Sequence, residues 1–341
     1  MDDQPLRMSE IAPERFPSML DNSSRVVDIC LTPTEPEEVV WTEDDERFVD
    51  QIEQRVKHTI EQYNLLSSQD KILVAVSGGK DSTMVLHLLQ KFGHAVEAVT
   101  VDAHIGCYTQ QNLENIRAVC QKLSVPLHEI PFRKVFGASL CYIRDYLKER
   151  GHNYKSCTVC GVLRRYLLNR KARELKATKL VLGHNLDDEA QVVVMNLMKN
   201  RPELNARLGP KIAQMSDARF VPRVKPLYFI REDEVVRYSK LMQFPVKYGK
   251  CPCSAEGFRN AVRDFLNEYE QHKQGIKENI VTMFLRQRDQ LQKQYTSEKP
   301  TYCVQCDEPA SDSLCRACKL LNLVHPAQPK KLGSGELPAS A

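Results

Sequence analysis

The chain is 341 residues long, with 42% hydrophobic residues and a formal net charge of +4 from 48 basic and 44 acidic side chains. That balance suits a globular protein of one large domain with appendages. It has no run of about 18 apolar residues to span a bilayer. Its acidic start (Asp2, Asp3, Glu10, Glu14) fits neither a secretory nor a mitochondrial leader, so a cytoplasmic protein without a membrane partner is expected.

Residues 1–44 show no periodicity, hold Pro13, Pro17, Pro33 and Pro36, and read as an irregular acidic N-terminal tail. A helix is predicted over 45–66, with Phe48, Ile52, Val56, Ile60 and Tyr63 at helical spacing. A short apolar strand follows at 72–76, then the turn Ser77-Gly78-Gly79-Lys80-Asp81-Ser82, then a helix over 82–92 carrying Met84, Val85 and Leu88 on one side. A second strand at 95–101 ends at Asp102. A helix at 112–123, a strand at 126–131 and a helix at 136–150 come next.

The helix predicted at 161–175 lies in a basic stretch containing Lys155, Arg164, Arg165, Arg170, Lys171, Arg173, Lys176 and Lys179, which suits a polyanion or a solvated helix face. A fourth strand at 179–183 stops at His184, and a helix covers 190–199. Residues 220–226 lead into a loop and a helix at 232–242, and 258–294 reads as largely helical and charged. Strands alternating with helices imply an α/β fold with a doubly wound, mostly parallel sheet. The expected organisation is a nucleotide-binding domain over 45–230, a helical extension over 231–298, a zinc finger over 299–322 and a disordered tail over 323–341.

A Gly-Gly turn between a buried strand and a helix start is a phosphate cradle: glycines let backbone N–H groups approach an anion, and the helix end adds positive potential. The Walker spacing is absent. The turn resembles the PP-loop of the ATP pyrophosphatases, which cut ATP between the α- and β-phosphates.

Six of the twelve cysteines fall in three CxxC pairs, so metal binding is a better reading than disulfides in a chain without a leader. Cys303-x2-Cys306 and Cys315-x2-Cys318, eight residues apart, make a closed four-thiolate site suited to Zn2+. Cys157-Thr-Val-Cys160 by itself reads as a redox pair, half a zinc site or part of an iron–sulfur site. With a cysteine from Cys251-Pro252-Cys253 it makes a three-thiolate set, and three thiolates on a 4Fe-4S cluster leave one iron open to an exogenous sulfide. Unligated thiols and a second zinc are the other readings of the same set.

Four segments occur in a fixed order: the loop at 77–82, Cys157-Thr-Val-Cys160-Gly161, the run Gly183-His184-Asn185-Leu186-Asp187-Asp188-Glu189-Ala190-Gln191, and Cys251 followed by Phe258-Arg259. Together with the terminal cysteine pairs and Lys319-Leu320-Leu321, they resemble the tRNA 2-thiolation enzymes of the TtuA group and the related wobble-uridine thiolases, over residues 50–322. That group opens with a further finger of two CxxC pairs, whereas residues 1–44 here hold only Cys30. Relatives tend to carry an aromatic residue at position 253, so Cys251 is assigned as the third cluster ligand from its spacing to Phe258-Arg259, with Cys253 as the fallback.

The resemblance implies adenylation of a uridine C2 oxygen by ATP, loss of pyrophosphate, and displacement of AMP by sulfur. Ser77, Gly78, Gly79 and Ser82 would cradle phosphates, and Lys80 would stabilise charge in transfer. Asp81 and Asp188 would hold Mg2+ or orient the nucleotide. Ala75, Val76, Val101 and Gly183 would line the adenosine pocket, and Arg164 would reach the α-phosphate or the sulfide site. Asp187, Asp188 and Glu189 also suit a helix N-terminus. The implied partners are tRNA and a sulfur donor, either sulfide or a small thiocarboxylated carrier protein, and the family often forms homodimers. TtcA-like 2-thiocytidine synthesis, a PP-loop ligase or amidating enzyme acting on a small molecule, and a non-catalytic zinc-dependent RNA-binding protein are the competing readings.

Overall fold

The computed structural model describes residues 40–212, 219–246, 248, 251–254, 258–295 and 301–324. The tail expected over 1–44 therefore lies outside the described residues up to position 39, and the one expected over 323–341 lies outside them from position 325. No helix among the described residues is long and apolar enough to cross a membrane.

A six-stranded sheet runs β3-β2-β1-β4-β6-β5, formed by β1 (Ile72–Ala75), β2 (Val96–Asp102), β3 (Leu127–Pro131), β4 (Lys179–Leu182), β5 (Lys211–Ile212) and β6 (Arg223–Val224). Every pairing is parallel except β5 with β6 at the edge. The chain builds outward from β1 through β2 to β3 and then returns to lay β4 against the other side of β1. That reversal leaves a crevice at the carboxyl ends of β1 and β4, where open α/β sheets bind ligands.

Alternation along β1 sends Leu73 to one face and Ile72 and Val74 to the other. On the first face lie α4 (Phe132–Phe136), α5 (Leu140–Glu149) and α6 (Ser156–Glu174). The other face is covered by α1 (Glu43–Gln62), α2 (Lys80–Lys91), α3 (Gly106–Lys122) and α9 (Glu232–Leu241). A third apolar cluster joins α7 (Leu186–Met198) to α10 (Phe258–His272) and α11 (Ile276–Tyr295) through Leu186, Ala190, Val262, Leu266 and Val281. The short α8 (Pro202–Asn205) connects α7 to the edge strand. The terminal hairpin of β7 (Thr301–Tyr302) and β8 (Pro309–Ala310), with α12 (Arg316–Val324), packs into the same core as α5 and α6.

Several elements differ from expectation for identifiable reasons. The helix expected at 136–150 starts late, at Leu140: Phe136 ends the short α4, Gly137 takes φ 72°, and Ser139 caps α5 by accepting a hydrogen bond from the Tyr142 N–H. The run at 258–294 is two helices, separated around Gly275 at φ 82°. Three helices begin several residues early: α3 at Gly106, α6 at Ser156 and α7 at Leu186. In α7 the cause is a reciprocal cap between Asn185 and Asp188. The stretch 220–226 is a strand as well as an approach to the loop, since Arg223 and Val224 pair with β4.

Candidate active site at the carboxyl edge of the sheet

The loop after β1 is folded around Ser82. Its Oγ accepts from the Ser77 N–H at 3.0 Å, donates to the Gly79 carbonyl at 3.1 Å and lies 3.1 Å from Ser77 Oγ. Gly78 takes φ 82°, and a Cβ there would sit 2.5 Å from the Asn112 carbonyl oxygen, so both conformation and space demand glycine. No side chain caps α2, which leaves N–H groups of its first turn facing the crevice. At Gly183 a Cβ would lie 2.8 Å from the Ser82 nitrogen, so the end of β4 presses directly on this turn. Ala75 is half-buried, whereas Val76 and Val101 are buried in the core on either face of the sheet.

Charged groups converge beside the loop. Lys80 Nζ lies 3.0 Å from Asp81 and 3.1 Å from Glu232 at the start of α9. Burial works against charge on this lysine, but the two carboxylates outweigh it and hold its pKa above the usual value. Asp81 accepts from Asn185 Nδ2 at 2.8 Å. Its pKa is raised, by burial first and by the nearby Asp188 carboxylate, against the pull of Lys80. Asp188 closes the α7 cap and also pairs with Arg259 Nη2 at 2.5 Å, while Arg259 Nε donates to Gln191 at 2.9 Å. Two neighbouring carboxylates that repel each other at a phosphate loop are a hard oxygen donor set that fits Mg2+.

The start of α7 is held by buried ion pairs. Asp187 bonds Lys277 and accepts from the Glu232 N–H at 2.8 Å, and Glu189 pairs with Lys225 at 2.6 Å. His184 has a buried Nδ1 with no partner, and burial lowers its pKa to about 4 despite the neighbouring Asp188. Glu232, Asn185, Lys225 and Lys277 were not among the expected site residues. Asn185 lies in the run 183–191 already read from the sequence, whereas Glu232, Lys225 and Lys277 enter through contacts between segments far apart in sequence, and no local motif marks them.

Across the crevice, Cys157 and Cys160 occupy the first turns of α6, and Cys251 precedes a 3-10 turn at Pro252–Ser254. Burial raises the pKa of both α6 thiols, and the adjacent Cys251 adds to it in each case. Arg164 opposes this at Cys160, and its buried Nε has no hydrogen-bond partner. Tyr108, in the first turns of α3, faces Cys251, Arg164 and Cys160 and hydrogen-bonds Asn112. The same Asn112 backs Gly78, so one turn of α3 spans from the phosphate loop to the thiols. The fallback ligand Cys253 turns elsewhere: its thiol bonds Cys141, and only its carbonyl accepts from Cys157 Sγ, at 3.5 Å. Three thiols from two segments, with the Arg164 guanidinium beside Cys160 to offset negative charge, fit a three-cysteine cluster.

Cys303, Cys306, Cys315 and Cys318 bring their sulfurs within 4.8 Å of one another, a spacing that fits a single tetrahedral ion and is closer than a cubane needs. Glu308 anchors this finger to α6, accepting from Asn169 at 2.5 Å and pairing with Arg173 at 3.2 Å.

Residues 48–270 match the family model of the PP-loop domain. The strand–loop–helix crevice thus defines the class, an α/β PP-loop protein. A tRNA-5-methyluridine(54) 2-sulfurtransferase of Pyrococcus horikoshii is 30% identical over 279 residues, covering 82% of this chain and 87% of that protein. The tRNA 2-thiolation protein NcsA of Haloferax volcanii is 28% identical over 299 residues, covering 82% and 92%. Among solved structures, the U34-tRNA thiolase NcsA from Methanococcus maripaludis with its 4Fe-4S cluster superposes with a TM-score of 0.68 at 27% identity, covering 81% of this chain and 88% of that one. The chain belongs to the tRNA 2-thiolation branch of the PP-loop family.

Proposed function

We propose that this chain is an ATP-dependent tRNA sulfurtransferase that adenylates the C2 oxygen of a uridine and replaces it with sulfur. The observation that carries the reading is the shared crevice: Asn112 and Tyr108 of α3 connect the phosphate loop to the Cys157, Cys160 and Cys251 thiols. Activation by ATP and sulfur delivery can then occur on one bound base. Relatives named for uridine favour that base over cytidine.

A uracil oxygen is a poor leaving group until it is phosphorylated, and the loop supplies the groups for that step. Backbone N–H groups of Gly78 to Lys80 and the Ser77 hydroxyl would bind the departing pyrophosphate, with Ser82 bracing the loop from within. Lys80, kept cationic by Asp81 and Glu232, offsets charge that builds on the phosphoryl oxygens. Asp81 and Asp188 would hold Mg2+ against the same phosphates. Cys157, Cys160 and Cys251 would hold a 4Fe-4S cluster, which when bound supplies an open iron for sulfide. Arg164 stands beside Cys160 to meet the anionic sulfur or the α-phosphate. Neutral His184 donates no charge to the crevice at pH 7. The four terminal cysteines would hold Zn2+ and so keep the basic face of α6 in place. Sulfide or a thiocarboxylated carrier protein supplies sulfur, and a homodimer is the assembly the family favours.

Anaerobic incubation of cluster-reconstituted protein with tRNA, ATP, Mg2+ and sulfide, followed by nucleoside mass spectrometry, tests this. A thiolated uridine with stoichiometric AMP is the expected result. A thiolated cytidine would transfer the chain to the TtcA-like reading. AMP formation only with a small-molecule acceptor would replace the proposal with the ligase reading.

A further inference from the structure

Lys277 places an ammonium where water cannot reach it. It is the second residue of α11 and is buried, and its Nζ donates to Asp187 and, at 2.7 Å, to Asn267 Oδ1. Asp187 is buried too, and its two carboxylate oxygens face different elements. Oδ1 takes the Lys277 ammonium, and Oδ2 accepts from the Glu232 N–H at 2.8 Å. Glu232 in turn accepts from Lys80 Nζ at 3.1 Å. An unbroken line of polar contacts therefore runs from α11 through α7 and the first residue of α9 to the phosphate loop. Its far end is fixed as well: Glu270 accepts from the Gly275 N–H at 2.6 Å and the Lys277 N–H at 3.3 Å, which sets the turn that brings Lys277 inward. Arg231 ties the same region to α9, through Glu270 at 3.2 Å and Glu278 at 2.9 Å. Stability does not account for the buried pair. Taking two charges out of water is unfavourable, and apolar groups of similar volume often serve as well or better. Leu186, Ala190, Val262, Leu266 and Val281 already join these helices. The start of α7 does not need the pair either, since Asn185 and Asp188 cap it between them. What apolar groups would not do is hold a carboxylate oxygen on the Glu232 N–H.

We propose that Lys277 is a positioning residue for the adenylation step: through Asp187 and the Glu232 N–H it sets the carboxylate that holds Lys80 Nζ at the phosphate loop. The proposal rests on the thiolase reading and adds to it a residue outside the crevice that fixes the crevice's geometry. The line of contacts acts as a strut. With Lys277 removed, Asp187 loses the partner that orients it, and the first turn of α9 is freed at Glu232. Lys80 is then left to Asp81, the carboxylate next to it in the chain. Its ammonium meets the phosphoryl oxygens in a spread of positions, and misplacement by about 1 Å lowers a rate by up to ~10²-fold. Binding of ATP in the ground state suffers less, because the uncapped N–H groups of α2 that face the phosphates do not depend on α9.

The test measures AMP formation by the cluster-loaded chain with tRNA, Mg2+ and sulfide across a range of ATP concentrations, with a melting curve for every variant. Lys277→Met is expected to lower kcat by about 10–10²-fold. The KM for ATP and the tRNA dissociation constant should move by less than about twofold, the pattern of an interaction made in the transition state. Because this substitution leaves a buried carboxylate alone, a second variant, Asp187→Leu with Lys277→Met, exchanges the whole pair for apolar groups. It should melt near wild type and show the same fall in kcat. Glu232→Gln supplies the comparison that a merely structural role would not pass. In that background the exchange of the pair should change kcat by less than about twofold, since its effect travels through Glu232. Full kcat in the exchanged pair, the same fall in both backgrounds, a fall seen only as a raised KM, or loss of the cooperative melt in the exchanged pair would overturn the proposal. Wild type that forms AMP without a thiolated uridine would sink the thiolase reading while the comparison of rates still decides the strut. Wild type that forms no AMP would overturn both.

Discussion

At the residue scale the site depends on which charges have partners. Lys80 sits between two carboxylates in a half-buried position, so truncation removes the one cation that the phosphate loop aims at the crevice. Lys80→Ala is expected to slow AMP formation by about 10²–10³-fold, the range for losing one preorganised stabilising group. The tRNA dissociation constant should change little, and retention of full activity would refute the assignment. His184 makes the opposite case, a group held without charge. Its pKa falls from 6.5 in the open chain to about 4 in the fold, so below pH 6.5 the unfolded state takes up a proton that the folded state does not. Stability contributed by neutral His184 is therefore present above pH 6.5 and drains away as pH falls toward 4. Urea midpoints measured across that window should decline less steeply for His184→Gln than for wild type.

At the scale of elements, a single carboxylate ties the start of β1 to β4. Asp70 accepts from Lys179 Nζ at 2.7 Å, from Thr178 Oγ1 at 2.7 Å and from the Ser67 N–H at 2.7 Å. Burial opposes its charge, yet these bonds prevail and lower its pKa to about 2. Asp70→Ala should cost about 2–3 kcal/mol in denaturant titrations at pH 7, because it leaves an ammonium and two donors without their acceptor. The deficit relative to wild type should shrink as pH falls from the ordinary carboxylate range toward 2. The strands and the helices between them could be read from apolar runs and helical spacing, and the loop from Ser77 to Ser82 from its glycines. Helix starts could not. Cys157 and Cys160 lie inside α6, not ahead of it, and Tyr108 lies inside α3, because polar first turns show no apolar rhythm. Gly275 breaks what read as a continuous helix and Gly137 delays the start of another, roles that depend on their positive φ and not on composition. Of the candidate site, Lys80, Asp81, Asn185, Asp188 and the cysteines lie in motifs that can be read from the sequence, while Glu232 and Tyr108 enter only through folding that joins distant segments.

At the scale of the whole molecule, the terminal finger is part of the main core. Cys303, Cys315, Cys318 and Leu320 are buried with Leu163 and Leu167 of α6 and Leu140 of α5. With Zn2+ held there as proposed, its removal by a chelator under reducing conditions should lower the melting temperature of the entire chain and expose residues 301–324 to protease. An unchanged melting curve with the metal demonstrably gone would show that the finger contributes nothing to that core. Arg259 touches both halves of the crevice. Standing at the start of α10, soon after Cys251, it grips Asp188 on the nucleotide side while its charge bears on Cys157 on the sulfur side. One guanidinium is thus shared by the two halves of the crevice, and any coupling carried through it would run equally in both directions.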